Sequence, residues 1–304
     1  MTALGLFSML LVLTLLRDVA LLAGLAFTLP PMAAPTAAAV PLLALAAVAF
    51  GAFGARRTAK VRRVDVRIDD LPAALHGFTV AQISDVHVGP TIKRGFVQRI
   101  VNAVNRLKPD AVAVTGDLVD GRVSDLQGDV APLAELRSRH GTFFVTGNHE
   151  YYSGVGEWTA ALRRLGLKVL ENEHVVLDHD GARLVMAGVS DYSASKVLPG
   201  HRSDPQQALA GAPRDAAVRV LLAHQPRSAP AAADAGFDLQ LSGHTHGGQF
   251  WPWNLFVPLQ QPFTAGLHRL RRLWVYTSRG TGYWGPPLRL GAPSEITLLR
   301  FVPS

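Results

Sequence analysis

Five short apolar runs in this 304-residue chain each end at a residue able to bind a metal cation. FTVAQIS leads into Asp85 and His87, AVAVTG into Asp117, TFFVTG into Asn148 and His149, RVLLA into His224, and DLQLSG into His244 and His246. Each run has the length and composition of a buried strand, and each breaks at its end into turn-forming or polar residues. Strands of this kind, alternating with helices, build α/β domains in which ligands collect in the crevice at the strands' carboxyl ends. The five stretches are therefore expected to converge on one site.

The chain contains no cysteine, so the donors are carboxylate, amide oxygen and imidazole. That set favours Mn, Fe, Zn or Mg over soft-metal chemistry. Gly116-Asp117 alone is a common turn, and Asn148 after Gly147 is too. Gly243-His244-Thr245-His246 is more specific, because alternate residues of an extended segment face the same way and bring two imidazoles to one site. Asp117 follows a glycine that permits a sharp turn, and its two oxygens suit a bridge between two cations. A pair of cations about 3.5–4 Å apart lowers the pKa of bound water from about 15.7 to about 7 and clamps an in-line displacement at phosphorus. The reaction expected is phosphoester hydrolysis; His149 stands beside a ligand without having to be one, and is a candidate either to donate a proton to the leaving oxygen or to stabilise its developing charge. His76, His140, His174, His179, His201 and His268 lack such settings and are read as ordinary core or surface histidines.

The blocks Asp85-Val-His87, Gly116-Asp117-Leu118-Val119-Asp120, Gly147-Asn148-His149-Glu150, His224 and Gly243-His244-Thr245-His246 resemble those of the calcineurin-like metallophosphoesterases. The longer stretches ISDVHVGP, TGNHEYYSG, LAHQP, LSGHTHGGQ and SRGTGYWGPPLRLGAPSEITLLRF resemble the membrane-linked YkuE/YaeI-type branch, and the likeness runs over residues 65–304. The resemblance implies a four-layer αββα sandwich of two facing mixed sheets, where pattern alone leaves a single doubly wound sheet equally open. It places Asp85, His87, Asp117 and His246 on one divalent metal, and Asp117, Asn148, His224 and His244 on a second. It makes His149 the catalytic histidine, supported by Asp120, and a metal-bridging hydroxide the attacking group. Gly121 departs from the arginine that often follows that aspartate in the family.

Apolar residues are concentrated at the N-terminus. Residues 3–28 are apolar except for Arg17 and Asp18, and residues 36–54 are rich in Ala, Leu and Val with Pro41 among them. About 20 apolar residues span a bilayer, so the expectation is a transmembrane helical hairpin within residues 1–55, turning near Pro30 and Pro31. A cleaved signal peptide fits less well, because no basic segment precedes the first run and a second run follows. Residues 56–64 read as a basic linker, with Arg56, Arg57, Lys60, Arg62 and Arg63, and residues 65–304 as the catalytic domain. The positive-inside rule puts that cluster, and the domain after it, on the cytoplasmic side of an integral membrane protein; the extracytoplasmic face is the alternative. The net charge of +7 fits contact with anionic head groups. The cluster has no interleaved aromatics, so nucleic acid is not an expected partner.

Residues 91–107, 129–139 and 155–165 read as amphipathic helices, and 173–188 as a hairpin turning at Asp180-Gly181. From Phe250 to Leu273 a loop carries Trp251, Trp253, Leu255, Phe256, Val257, Leu259 and Phe263. These residues suit either packing on the core and the apolar helices or a wall beside the metals for a lipid tail. Lys93, Arg94 and Arg279 are candidate phosphate-orienting cations. The combined expectation is a membrane-anchored binuclear-metal phosphoesterase acting on a phosphodiester or pyrophosphate, with a lipid-linked substrate suiting the anchor. The competing readings are a non-catalytic metal-binding scaffold and a regulatory domain of a membrane protein.

Overall fold

The computed structural model describes residues 1–27 and 32–304. Two apolar helices come first, α1 (Thr2–Ala26) and α2 (Ala33–Arg56). Each is built from strong helix formers, chiefly Ala and Leu, and α2 runs on through Pro41. Both contain 24 residues of mean hydropathy 2.1, long and apolar enough to cross a membrane. The turn expected at Pro30 and Pro31 lies outside the described residues. Gly5 and Gly51 both lie against Leu288, while Arg17 donates to Thr36 Oγ1 at 3.1 Å, so the helices run antiparallel. Arg17 also pairs with Asp18 at 2.8 Å and donates to the Ala33 carbonyl at 3.1 Å. The charged pair is thus neutralised against the neighbouring helix and leaves α1 unbroken.

The strands β1 (Lys60–Ile68), β2 (Thr79–Ile83), β3 (Ala111–Thr115), β4 (Thr142–Val145) and β5 (Lys168–Val169) join β12 (Glu295–Pro303) in one six-stranded sheet, ordered β1-β12-β2-β3-β4-β5. A second sheet contains β6 (Glu173–His179), β7 (Ala182–Gly188), β8 (Val218–Leu222), β9 (Leu239–Ser242), β10 (Gly266–Leu270) and β11 (Leu273–Thr277), ordered β10-β11-β9-β8-β7-β6. Both are mixed: β12 runs parallel to β1 and antiparallel to β2, and β11 runs parallel to β9 and antiparallel to β10. Helices α3 (Arg94–Leu107), α4 (Val123–Val130), α5 (Asn148–Ser153) and α6 (Val155–Arg164) belong to the first half, α7 (Pro205–Ala208) and α8 (Ala229–Ala235) to the second.

Strand alternation sorts the apolar residues into three layers. Ala81, Ile83, Val112 and Val114 face outward onto Ile100 and Val104 of α3 and Trp158 of α6. Their neighbours Val80, Ala111, Ala113 and Phe143 face inward and meet Met186, Val220 and Leu241 of the second sheet. Beyond that sheet, Val185, Leu221 and Val275 pack on Ala208, Ala229 and Ala232 of α7 and α8. Three buried layers between helix, sheet, sheet and helix are the αββα sandwich that the motifs imply.

Three local expectations change. Residues 60–64 are the start of β1, paired along its length with β12, so only the residues just after α2 connect the helices to the sandwich. The helix expected at 129–139 lies earlier, at Val123–Val130, and passes into a 3₁₀ turn at Ala131–Glu135, because Pro132 lacks the amide and clashes inside an α-helix. The apolar loop after His246 holds two 3₁₀ turns and then β10. The 173–188 hairpin forms as expected, with Asp180 and Gly181 at φ 54° and 87°, the paired positive angles of a type I′ turn.

Candidate metal centre

Each expected donor sits just past a strand. Asp85 and His87 follow β2, Asp117 follows β3, Asn148 opens α5 after β4, His224 follows β8, and His244 and His246 follow β9. The two sheets face one another, so one edge of the sandwich gathers all five stretches. Gly116, at φ 83°, makes the turn that brings this about: a Cβ there would lie 2.6 Å from the Gly147 amide nitrogen. Asp85, His87, Asp117, His244 and His246 themselves take left-handed backbone, with φ between 51° and 70°. Asp and His tolerate that region better than most side chains, yet it still costs stability and concentrates at functional sites.

Of three groups of donor atoms that result, two hold the expected ligands, Asp85 with His87 and His246, and Asp117 with His224 and His244; the third is His87 with Asp120 and His149. Nε2 of His87 and of His246 face each other at 3.1 Å, and His244 Nδ1 faces His224 Nε2 at 3.2 Å. Asp117 Oδ2 lies between the first two groups, 3.1 Å from His224 Nε2 and 3.9 Å from His87 Nε2. Ligand bonds of about 2.1 Å put neighbouring donors about 3 Å apart, so these spacings match cation coordination. His224 Nδ1 bonds the Thr115 carbonyl at 2.8 Å, which in the neutral ring leaves Nε2 bare against a carboxylate oxygen. Asn148 Oδ1 is buried and has no hydrogen-bond partner among the described residues. A bare ring nitrogen, a facing carboxylate and an orphaned amide oxygen all become satisfied by a cation.

Electrostatics point the same way. Burial works against the Asp117 charge, but the imidazoles of His224 and His87 overcome it and hold the carboxyl well below its usual range. Burial raises the Asp85 carboxyl. His244 is pushed down to about 3 by burial and the nearby His224, and His246 also falls well below the usual imidazole value, so both rings are in the neutral form that ligates metals. His224 goes the other way, raised above burial's opposing effect by Asp117, and without a cation it holds a proton in its place.

Asp120 orients two rings with one oxygen. Its Oδ1 accepts from His149 Nδ1 at 2.6 Å and from His87 Nδ1 at 2.9 Å, which leaves both Nε2 atoms facing the centre. Burial opposes its charge, but the two bonds hold the carboxyl down at about 2. In return Asp120 raises the His149 pKa above its ordinary value against the effect of burial. Tyr152 and Trp284 stand edge-on to the His149 ring, at 5.5 and 5.7 Å between centroids. Asp120→Asn is expected to move the His149 titration to lower pH, followed by the imidazole NMR signals of metal-free protein; an unmoved titration would show that Asp120 does not set it.

Two residues to which the motifs assign no role hold the site together. Glu150 is fully buried and accepts from the amides of Gly147 (2.6 Å), Asp117 (2.9 Å), Leu118 (2.7 Å) and Val119 (3.3 Å). It ties the Asp117 loop to the Asn148 loop. Burial and the nearby Asp117 push its carboxyl up to about 7, while these N–H donors favour the charged form. Its position, third in a helix that begins after Gly147, is the Glu half of a capping box and is the signal by which sequence could have found it. Arg289, also buried, donates Nη1 to the carbonyls of His246 (2.9 Å) and Arg279 (2.7 Å), and its amide donates to the Gly51 carbonyl of α2 (3.0 Å). No local pattern announces that role. The candidate phosphate cations are engaged elsewhere: Lys93 Nζ bonds Asp129 on α4, Arg94 Nη1 donates to the Gly128 carbonyl at 3.1 Å, and Arg279 pairs with Glu295 at 3.0 Å.

An αββα sandwich with carboxylate and imidazole clusters where its two sheets meet defines a metallophosphoesterase-type domain. Residues 78–248 match the calcineurin-like phosphoesterase family, and the chain belongs to that family, whose members bind a dinuclear metal centre. The chain is 38% identical over 270 residues to a transmembrane protein with metallophosphoesterase domain from Danio rerio, covering 86% of this chain and 61% of that protein. The Bos taurus protein of the same description is 42% identical over 260 residues, covering 82% and 58%. The metallophosphoesterase YkuE of Bacillus subtilis is 27% identical over 270 residues, covering 84% and 92%. The chain thus spans about three fifths of the two vertebrate relatives' length.

Proposed function

We propose that this chain is a membrane-anchored, binuclear-metal phosphoesterase that hydrolyses a phosphodiester or pyrophosphate, with its catalytic domain, residues 65–304, on the cytoplasmic side. The observation that carries the reading is the position of Asp117 Oδ2 between the two donor groups. Asp85, His87, Asp117 and His246 would hold one cation, and Asp117, Asn148, His224 and His244 the other. The two cations would supply Lewis acidity and an activated water at neutral pH. His149 does the proton work. Its Nδ1 is occupied by Asp120, which favours the protonated ring, and its Nε2 faces the site 4.0 Å from Asp117 Oδ2, where it can give a proton to the leaving oxygen. The anchor is supported by the two apolar helices, and the orientation by Arg56, Arg57, Lys60, Arg62 and Arg63 just after them.

Sealed membrane vesicles test chemistry and sidedness together. Inverted vesicles are expected to release 4-nitrophenolate from external bis(4-nitrophenyl) phosphate with added Mn, and a chelator is expected to stop them, while right-side-out vesicles stay silent. Hydrolysis that ignores chelation would overturn the metal mechanism, and activity confined to right-side-out vesicles would reverse the orientation. Cation uptake without hydrolysis in either preparation would favour the scaffold reading.

A further inference from the structure

A cavity of about 530 Å³ opens from the metal centre toward the N-terminal helices. At one end it is lined by His244 and His246, and along one side by Leu4, Phe7, Ser8 and Leu11 of α1. Trp253 and Trp284 are among the side chains that complete it, and Trp284 also borders His149. We propose that α1 is a wall of the substrate site, and that the substrate is a lipid phosphoester whose hydrocarbon chain lies along that wall. The proposal rests on the phosphoesterase reading above and names its substrate class.

Five observations carry it. Leu4, Phe7, Ser8 and Leu11 recur at helical spacing, so they form a single face about 10 Å long. Among the described residues no Lys, Arg, Asp or Glu lines the cavity, so a second phosphate, a nucleotide or a charged peptide finds no ionic partner there, whereas an alkyl chain needs none. The polar group of that face is engaged, because Ser8 Oγ accepts from Trp253 Nε1 at 2.9 Å. The wall is also held in place: Met9 and Ala44 pack with Phe250 and Leu288 in one buried cluster, and the Arg289 amide bonds α2 at Gly51. Meanwhile Phe7 (60%), Leu255 (63%) and Leu259 (81%) leave their apolar surface exposed beside it. Apolar side chains exposed next to membrane-length helices form a rim through which a chain passes from the bilayer without crossing water.

With its phosphorus at the metals, the substrate directs one ester group into the cavity. Water adds its oxygen to phosphorus, one phosphorus–oxygen ester bond breaks, and the departing oxygen takes a proton. The test uses full-length protein in nanodiscs with Mn and a series of 4-nitrophenyl alkyl phosphodiesters, ethyl, butyl, hexyl and octyl. Each methylene removed from water strengthens binding about three- to fourfold, so burying even half of the six methylenes that octyl adds to ethyl is expected to raise kcat/KM about thirtyfold or more. Leu11→Trp fills the far end and is expected to lower the octyl-to-ethyl ratio about tenfold, and Phe7→Ala, which thins the wall, lowers it in the same direction. Leu22→Trp, on α1 but outside the cavity, keeps the ratio. A flat series, a ratio that both cavity variants leave in place, or one that Leu22→Trp lowers equally overturns the proposal. Absence of metal-dependent release from every ester, ethyl included, overturns the phosphoesterase reading instead.

Discussion

Asp117→Ala is expected to lower kcat/KM for every phosphoester by about a thousandfold or more, since several kcal/mol of transition-state stabilisation are lost and each 1.36 is tenfold. Asp117 lies within reach of both donor groups, so its loss is expected to empty the centre instead of loosening one side. The same carboxylate also holds backbone, because its Oδ1 accepts the His149 amide at 2.9 Å, at the start of α5. Asp117→Asn separates the two roles, because an amide oxygen can still accept that bond while the shared anionic oxygen is gone. The asparagine variant should therefore be as inactive as the alanine one, bind fewer cations by elemental analysis, and melt close to the wild type. Substantial activity in either variant would remove Asp117 from the mechanism.

Glu150→Ala is expected to act through position. It leaves buried amides at Gly147, Asp117 and Leu118 without an acceptor, each at about 1–3 kcal/mol. For a domain of this size that lowers Tm by about 10 °C. The loops that carry Asp117 and Asn148 then drift apart, and a misplacement of about 1 Å costs about a hundredfold in rate. The two effects should appear together, with extra Mn restoring part of the rate but none of the melting temperature. A variant that melts normally yet is inactive would make Glu150 a participant in the chemistry rather than a positioning residue.

The site was more legible in the sequence than its supports were. A candidate metal donor at a strand end leaves a local trace, an apolar run that stops at Asp, Asn or His, and five such traces in series constrain one another. Asp120 and His149 were legible for the same reason, through the blocks they belong to. Glu150 acts through amides of residues 32 and 33 positions earlier, a relation that only the fold reveals. Arg289 belongs to no periodic segment, and its partners on α2, the His246 loop and the Arg279 loop are scattered along the chain. The same limit hid the pairing of β1 with β12, which joins Lys60 to Glu295 and turns an apparent linker into a strand. Basic residues on β1 disguised it further, since that strand alternates exposed and buried positions only toward its end. Of the cavity under α1, the apolar loop from Phe250 was visible in the sequence, but the part that α1 contributes was not. The cavity arises where an apolar helix and an apolar loop far away in sequence leave space between them.

The five left-handed residues of the centre set a limit on the stability of the whole domain. Each costs about 1 kcal/mol relative to an ordinary backbone, so together they take about 5 kcal/mol from a fold whose total stability is about 5–15. Glycine at any of them relaxes the backbone and removes a metal donor in the same step. At these five positions stability and the donor set therefore oppose each other: a glycine scan is a search for sturdier protein and, in the same variants, a search for protein that takes up fewer cations.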